Sequence, residues 1–299
     1  MKDPNKRKIK ENTVITVTQG MGALELLIKT FPKMSRTNVK SLLTYGQVTS
    51  NYTLVTRHDH KFVAGDVVQI NWNKDRTVSA KLKGLKVLFE DMDILVVEKD
   101  KGILSVSTGK KDEATAYNTL KLHVKSQHPD NKIFIVHRLD RDTSGVMIFA
   151  KTVHAKRLLQ TEWTTYIKKR TYIAVVEGVI TEDQGTVHSW LTENSQFQVY
   201  SSPVDNGGKE STTHFEVRRR GKQFTMVEAT LETGRKNQIR IHMKELGFPI
   251  VGDKKYGATS NPILRLGLHA QTISFIHPIT KEELYFTSKI PPSFLKLVR

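Results

Sequence analysis

The apolar positions change period near residue 88, and the change separates two units. In the first, Leu24, Leu27, Ile28 and Phe31 recur at helical spacing before Pro32 closes the segment. A second short helix is expected after Ser35 as N-cap, burying Val39, Leu42 and Leu43 and stopping at Gly46. Strands are expected around Gln47–Thr49 and Val67–Ile70, with Gly65-Asp66 as the turn before the latter. Residues 71–85 carry Asn, Asp, Lys and Gly and read as a connection. Beyond them, strand-like runs lie at Ile94–Val97, Ile133–Val136, Val146–Ala150, Tyr172–Val176, Phe224–Leu231 and Thr272–Ile276. Helical spacing is found around Ala114–Val124 and Ala155–Ile167. It returns over Gln238–Leu246, where Ile239, Met243 and Leu246 share a face before Gly247. Many strands with few helices between them predict an α+β fold with mixed or antiparallel sheets, rather than a wound parallel sheet. The expected boundaries are a basic tail over 1–12, a small unit over 13–74, a linker over 75–87 and a large unit over 88–299.

Charge narrows the class of partner. Across 299 residues, 47 lysines and arginines oppose 30 acidic residues, a formal net charge of +17. A positive surface of that size attracts polyanions, and a nucleic acid is the obvious one. Arg36 and Lys40 lie four apart on the second helix and share a face, which suits phosphate contact; an ordinary solvated face is the alternative. The chain has no cysteine, which removes disulfides, thiolate zinc sites, iron–sulfur clusters and cysteine nucleophiles. Its opening residues, MKDPNKRKIK, fit neither a secretory signal nor a membrane span. The expectation is a cytoplasmic protein, monomeric and independent of membranes.

Candidate chemistry concentrates in VHRLDRDTSGVMIFA, residues 136–150. Charged and turn-forming residues there are held between two apolar strands, and burying such charges without partners is costly. A loop gripped by two strands is a good mount for a catalytic group. From spacing alone, His137, Arg138, Asp140, Arg141 and Asp142 fit a structural salt-bridge cluster equally well. Two carboxylates without convergent companions are weak evidence for a metal. The fragment TGKKD, residues 108–112, lacks the earlier glycine a phosphate loop needs. His269 and His277 read as strand histidines satisfied by their neighbours.

HRLDRDTSG resembles the signature of the RluA class of pseudouridine synthases, and that resemblance implies that Asp140 is the essential carboxylate. KKRTYIAVVEG, residues 168–178, is similar to the family segment carrying an active-site tyrosine, here Tyr172. LETGRKNQIRIHMKELGFPIVGDKKYG, residues 231–257, resembles the family's TGRxHQIRxH segment and the G-x-P-I-x-G-D-x-x-Y-G that follows. There Arg240 is the arginine expected to pair with the carboxylate. The family often has histidine where this chain has Asn237, which is assigned no acid–base role. Near residue 90 the family reads Lys-Pro-x-Gly, whereas here Asp100 replaces the proline, a change expected to loosen the loop. SRTNVKSLLTYGQVTSN with VAGDVVQI resembles the small S4-like RNA-binding domain, with Asn51-Tyr52 in place of its usual Asn-Gly hairpin.

Together these matches imply an enzyme that isomerises uridine to pseudouridine in structured RNA, most plausibly large-subunit ribosomal RNA, with no cofactor and no metal. Asp140, Tyr172 and Arg240 are its expected catalytic residues; Arg36, Lys40, His137, Arg138 and Arg235 are its expected RNA contacts. The alternatives are a transfer RNA substrate, a noncatalytic RNA-binding protein on the same fold, and, more weakly, a nuclease.

Overall fold

The structure is a computed structural model that describes residues 12–299 apart from 45–46, 52, 56, 73–80, 83, 108, 110–112, 129 and 197. The expected basic tail, Gly46, Tyr52, most of the connecting segment and most of TGKKD therefore lie outside the described residues. The chain divides into two compact units, Met1–Val78 and Ser79–Arg299.

The smaller unit contains β1 (Thr13–Thr16), β2 (Met21–Gly22), α1 (Ala23–Thr30), α2 (Arg36–Thr44), β3 (Val48–Ser50), β4 (Thr53–Leu54), β5 (Lys61–Phe62) and β6 (Val67–Ile70). Four of its strands form an antiparallel sheet in the order β1-β6-β3-β4. The Ser35 hydroxyl accepts the Asn38 N–H at 3.2 Å, the expected cap of α2. Val39, Leu42 and Leu43 pack with Ala23, Leu26 and Leu27 over Val48, Val68 and Ile70. Ile28, expected on that buried face, is exposed, and Leu26 takes its place. Asn51 opens the β3–β4 turn at φ +49°, a left-handed setting that asparagine tolerates better than most residues.

The larger unit holds β7 (Lys81–Leu82), β8 (Leu85–Glu90), β9 (Ile94–Lys99), α3 (Ala116–Gln127), β10 (Phe134–Ile135), β11 (Ser144–Ala150), α4 (Val153–Thr161), α5 (Trp163–Tyr166) and β12 (Ile167–Glu177). Then come β13 (Gln184–Glu193), β14 (Val199–Ser202), β15 (Lys209–Arg220), β16 (Phe224–Leu231), α6 (Gln238–Glu245), β17 (Leu268–Ile276), β18 (Glu283–Thr287) and α7 (Pro292–Leu297). Its strands make one sheet in the order β14-β13-β15-β16-β12-β17-β11-β9-β8-β7, with β18 also on β17 and β10 also on β11. The α+β fold with a mixed sheet is as expected. Three local expectations give way. β7 and β8 begin inside the stretch read as linker, because Leu85 and Val87 are buried in the sheet. The helix expected over Ala155–Ile167 breaks at Glu162, and Ile167 already opens β12. β13 and β15 escaped notice because their polar, half-exposed alternation resembles loop sequence.

β12 is buried along its centre, and successive residues face opposite layers. Ala174 and Val176 meet Ile239 and Met243 of α6, together with Val227, Ala229 and Leu268. Ile173 and Val175 meet Phe294 and Val298 at the C-terminal end. A third cluster packs Ala155 and Leu159 of α4 against Ile148, Ile273 and Phe275. α6 is also tied to the sheet by polar contacts. The ring nitrogens of the wholly buried His242 lie 2.9 Å from Ser189 Oγ and 2.8 Å from Thr213 Oγ1.

All pairings in this sheet are antiparallel except one. Ser144 and Gly145 of β11 run parallel to His269 and Ala270 of β17, joining two antiparallel halves. Gly145 has φ +120°, and a Cβ there would sit 2.0 Å from the Ala270 carbonyl oxygen. Only glycine allows that approach.

Gly145→Ala should therefore lower the stability of this unit by about 3 kcal/mol or more, combining backbone strain with overpacking; calorimetric unfolding of the full chain reads the loss. His242 makes stability depend on pH. Burial, with a smaller contribution from His188, pushes its pKa down to about 4, whereas the unfolded chain takes up that proton near ~6.5. Its contribution is complete above that pH and is lost as pH falls toward 4, at up to ~1.4 kcal/mol per pH unit. The melting temperature should fall over that interval, and more shallowly in His242→Gln.

Candidate active site

The loop between β10 and β11 is held from several sides before its carboxylate meets anything. Ser105 Oγ accepts the Leu139 N–H at 3.1 Å and donates to the Leu139 carbonyl at 2.7 Å, clamping the peptide just ahead of Asp140. The Asp140 carbonyl accepts the Thr143 N–H at 3.2 Å. Lys99, fully buried, donates to the carbonyls of Asp100, Ile103 and Arg141, and so uses all three of its N–H groups. Burial pulls its pKa down to about 8 against the opposing pull of Asp142, Asp140 and Asp100. The Asp100 N–H donates to the Gly84 carbonyl at 2.9 Å. A proline could not make that bond, so the departure expected to loosen this loop instead adds a tie.

Arg240 reaches the loop from α6, in the other half of the sheet. Its Nη1 donates to Asp140 Oδ2 at 3.2 Å and to Asn237 Oδ1 at 2.9 Å. Its Nε and Nη2 make a two-pronged pair with Asp253, both at 2.7 Å. The plane of the guanidinium also lies over the Tyr256 ring, 4.9 Å from its centre. Burial opposes the arginine's charge, but Asp253 and, to a lesser extent, Asp140 more than compensate, and its pKa is raised. Asn237 sits at φ +59° just before α6 and donates to the Tyr256 hydroxyl at 2.8 Å. In place of an acid–base group, the position carries a neutral bridge between Tyr256 and Arg240.

Asp253 and Tyr256 belong to the VGDKKYG segment, where the family resemblance by itself assigns neither side chain a role. The signal was present: an acidic residue and a tyrosine three apart, close after a turn. Gln238 was missed in the same way. Its Oε1 accepts from the Thr233 hydroxyl and the Arg235 N–H, while its Nε2 donates to the Thr212 carbonyl and to Thr213 Oγ1. It fixes the turn before α6 to β15.

Several of these groups line a small open cleft, bounded by Arg138, Leu139, Asp140, Thr143, Tyr172, Leu231, Arg235, Asn237, Gln238, Ile239, Arg240 and Leu268. Asp140, Tyr172, Arg240, Arg138 and Arg235 thus share one opening. Burial, reinforced by Asp140 and partly offset by Arg170, raises the Tyr172 pKa, so its hydroxyl keeps its proton. Arg138 and Arg235 are exposed at the margin, where Arg235 Nε donates to the Glu210 carbonyl at 3.1 Å.

His137 does not fit its expected part as a cation for RNA. Its Nε2 accepts the Ile148 N–H at 3.0 Å, and its ring lies against Trp163. Burial and Arg170 push its pKa down to about 3, so it is a neutral brace. Arg36, exposed, and Lys40, half-buried, lie on α2 of the other unit. Arg141 and Asp142 pair with each other on the surface at 3.2 Å, a contact of little energetic weight. His277 Nε2 donates to Asp91 Oδ2 at 2.9 Å while its Nδ1 accepts two backbone N–H groups. Among the described residues no group of three or more His, Asp or Glu side chains is arranged to hold a metal.

The RNA pseudouridylate synthase profile matches residues 93–245. The chain is 35% identical to the RNA pseudouridine synthase YlyB of Bacillus subtilis (strain 168) over 280 residues, covering 92% of each chain. It is 30% identical to the ribosomal large subunit pseudouridine synthase D of Vibrio cholerae serotype O1, covering 89% of this chain and 87% of that one. The fold is similar to that of human RNA pseudouridylate synthase domain containing 4, with a TM-score of 0.58 at 21% identity, covering 70% of this chain and 90% of that one. The chain belongs to the RNA pseudouridylate synthase family. It is an isomerase that converts uridine to pseudouridine in RNA.

Asp253→Asn should remove one prong's charge and leave the buried guanidinium undercompensated. Breaking such a pair costs on the order of 3 kcal/mol. The melting temperature of the full chain should drop accordingly, which calorimetry reads, because Arg240 loses the partner that holds it against Asp140.

Proposed function

We propose that this enzyme isomerises uridine in large-subunit ribosomal RNA, with Asp140 as the reacting carboxylate, Arg240 as its positioning partner and Tyr172 as the base-facing ring. The observation that carries this reading is the Arg240–Asp140 contact at 3.2 Å beside Tyr172 in one cleft. Isomerisation breaks the bond between N1 and ribose C1′, turns the uracil, and joins C5 to C1′. The proton leaving C5 is balanced by one gained at N1. No electron or outside group enters. A carboxylate oxygen serves either route into this sequence, attack on C1′ or removal of the 2′ proton, and both need it aimed at the ribose. Arg240, itself locked by Asp253, supplies that aim. A base must leave its stack to reach such a cleft, and Arg138 and Arg235 at the margin are suited to hold the opened strand.

The ribosomal target is supported by the relatives named for the large subunit and by the excess of basic residues. We assign the smaller unit as an S4-like RNA-binding domain, with Arg36 and Lys40 of α2 on its phosphate-facing side. Its helix pair against a small antiparallel sheet supports the assignment, which favours structured RNA over free uridine. The protein is assigned to the cytoplasm, where ribosomal RNA is made; no described helix is long and apolar enough to cross a membrane.

Asp140→Asn should lower pseudouridine formation by roughly a thousand-fold or more with RNA affinity retained. Pseudouridine-sensitive mapping of RNA from cells with and without the gene tests both parts. Normal turnover of the variant would remove Asp140 from the reaction; a lost modification in transfer RNA instead would move the substrate assignment.

A further inference from the structure

Arg170, four residues into β12, has no role in the account above, yet it is among the most unusual side chains in the molecule. It is 92% buried by the complement of its 8% exposure, and among the described residues its guanidinium has no hydrogen-bond acceptor and no carboxylate partner. Every other buried cation described in the site region is matched: Arg240 by Asp253 and Asp140, and Lys99 by three carbonyls. An arginine cannot escape the cost of burial by losing its proton near neutral pH. A buried, unmatched guanidinium is therefore a site lacking its anion.

Its surroundings say where the anion comes from. The guanidinium carbon lies over the Trp163 ring, 5.3 Å from the centre, so the ring packs against the group without taking any of its N–H groups. Those nitrogens are not sealed off, since the fully enclosed, unpartnered side-chain polar atoms of the described structure belong to Gln47, Ser201 and His269. Gly234 adjoins the group: a Cβ there would stand 2.7 Å from Nη1 and 3.5 Å from Nη2. The next residue, Arg235, lines the cleft, as do Tyr172, two positions along β12, and Arg138, which follows His137. His137, which also faces Arg170, is neutral and tied to the Ile148 N–H, so it neither repels an anion nor neutralises the arginine.

We propose that Arg170 binds a backbone phosphate adjacent to the target uridine, pinning the strand at the Gly234 edge of the cleft while the base lies beside Tyr172. The planar fork of N–H groups matches two phosphate oxygens, and the Trp163 ring holds the fork in one plane. The inference rests on the assignment of this cleft as the RNA-reactive site, and it adds a third arginine to Arg138 and Arg235. Unlike them, Arg170 is preorganised by burial, so it fixes position as well as adding attraction.

The test is the salt dependence of the full-length chain acting on an unmodified transcript of large-subunit ribosomal RNA. Losing one phosphate contact should reduce the slope of log(kcat/KM) against log[salt] by about 0.7 to 1. Arg170→Gln should show that reduced slope and a loss of roughly ten-fold or more in kcat/KM at moderate salt, carried by KM. Arg170→Lys, which keeps the charge, should keep the slope. A wild-type slope in Arg170→Gln would reduce Arg170 to a brace for Trp163 and overturn the proposal. If Arg170→Gln melts below the assay temperature, both chains are compared by filter binding below the variant's melting point, where a reduced slope supports the proposal and a wild-type slope overturns it. Filter binding of the same transcript gives the slopes without turnover. A wild-type chain that binds but forms no pseudouridine in this transcript therefore counts against the ribosomal target, not against the phosphate contact.

Discussion

Two residues of parallel strand contact hold the two halves of the large sheet, and the cleft depends on them. Ser144 and Gly145 lie beside His269 and Ala270 at the point where the Asp140 loop enters β11. The contact needs a glycine because the Ala270 carbonyl occupies the space of a side chain. Around it Arg265 Nη2 donates to Ser144 Oγ at 2.6 Å, and that hydroxyl lies 2.8 Å from His269 Nδ1. His269 Nε2 is enclosed without a partner among the described residues, so this histidine, contrary to expectation, is not fully satisfied by its neighbours. Burial and, to a lesser extent, Arg265 drive the His269 pKa down to about 4, so the ring is neutral. Asp140 comes from one half of the sheet and Arg240 from the helix packed on the other. A slip at the junction would therefore separate the two charges even with every other strand intact.

The charged groups of the cleft differ in how much freedom they keep. Arg240 has none to spare, since Asp253, Asn237, Asp140 and the Tyr256 ring occupy its edges and face. Asp140 has one described partner and stays partly open to solvent. This asymmetry leaves the carboxylate the freer of the two groups and the arginine the fixed one. Preorganisation of this kind is expensive in buried charge, and the nearly buried Asp253 offsets the cost. Arg138 and Arg235 stay on the surface, where long side chains can follow an RNA strand without a fixed geometry.

Much of this was legible in the residues themselves. The helices of the smaller unit, the cap at Ser35, β6, β16 and α6 follow from hydrophobic period and end signals, because each is a local choice with one buried face. The candidate site was legible as two motifs a hundred positions apart, with Asp140 in one and Arg240 in the other. Illegible were the partners: Asp253 and Tyr256 look like ordinary polar residues until the segment after α6 folds onto the Arg240 guanidinium, and Gln238 until the turn before α6 is pinned to β15. His137 stands beside Arg138 in the motif, yet its ring lies against Trp163 and accepts the Ile148 N–H. The strands β13 and β15 were hidden by their polar alternation, which only cross-strand pairing distinguishes from a loop.

By itself, then, the sequence determined the class of fold, the two-unit division and the basic character, since these rest on local period and composition, while Asp140 and Arg240 were singled out by family motifs and not by spacing. Tertiary structure alone decided which half of the sheet each came from, that Asn237 bridges Tyr256 and Arg240, that Asp100 ties its loop, and that Arg170 is buried without a hydrogen-bond or carboxylate partner among the described residues. Those outcomes depend on contacts between residues far apart in the chain, and no local pattern encodes which buried charge will find a partner and which will wait for one.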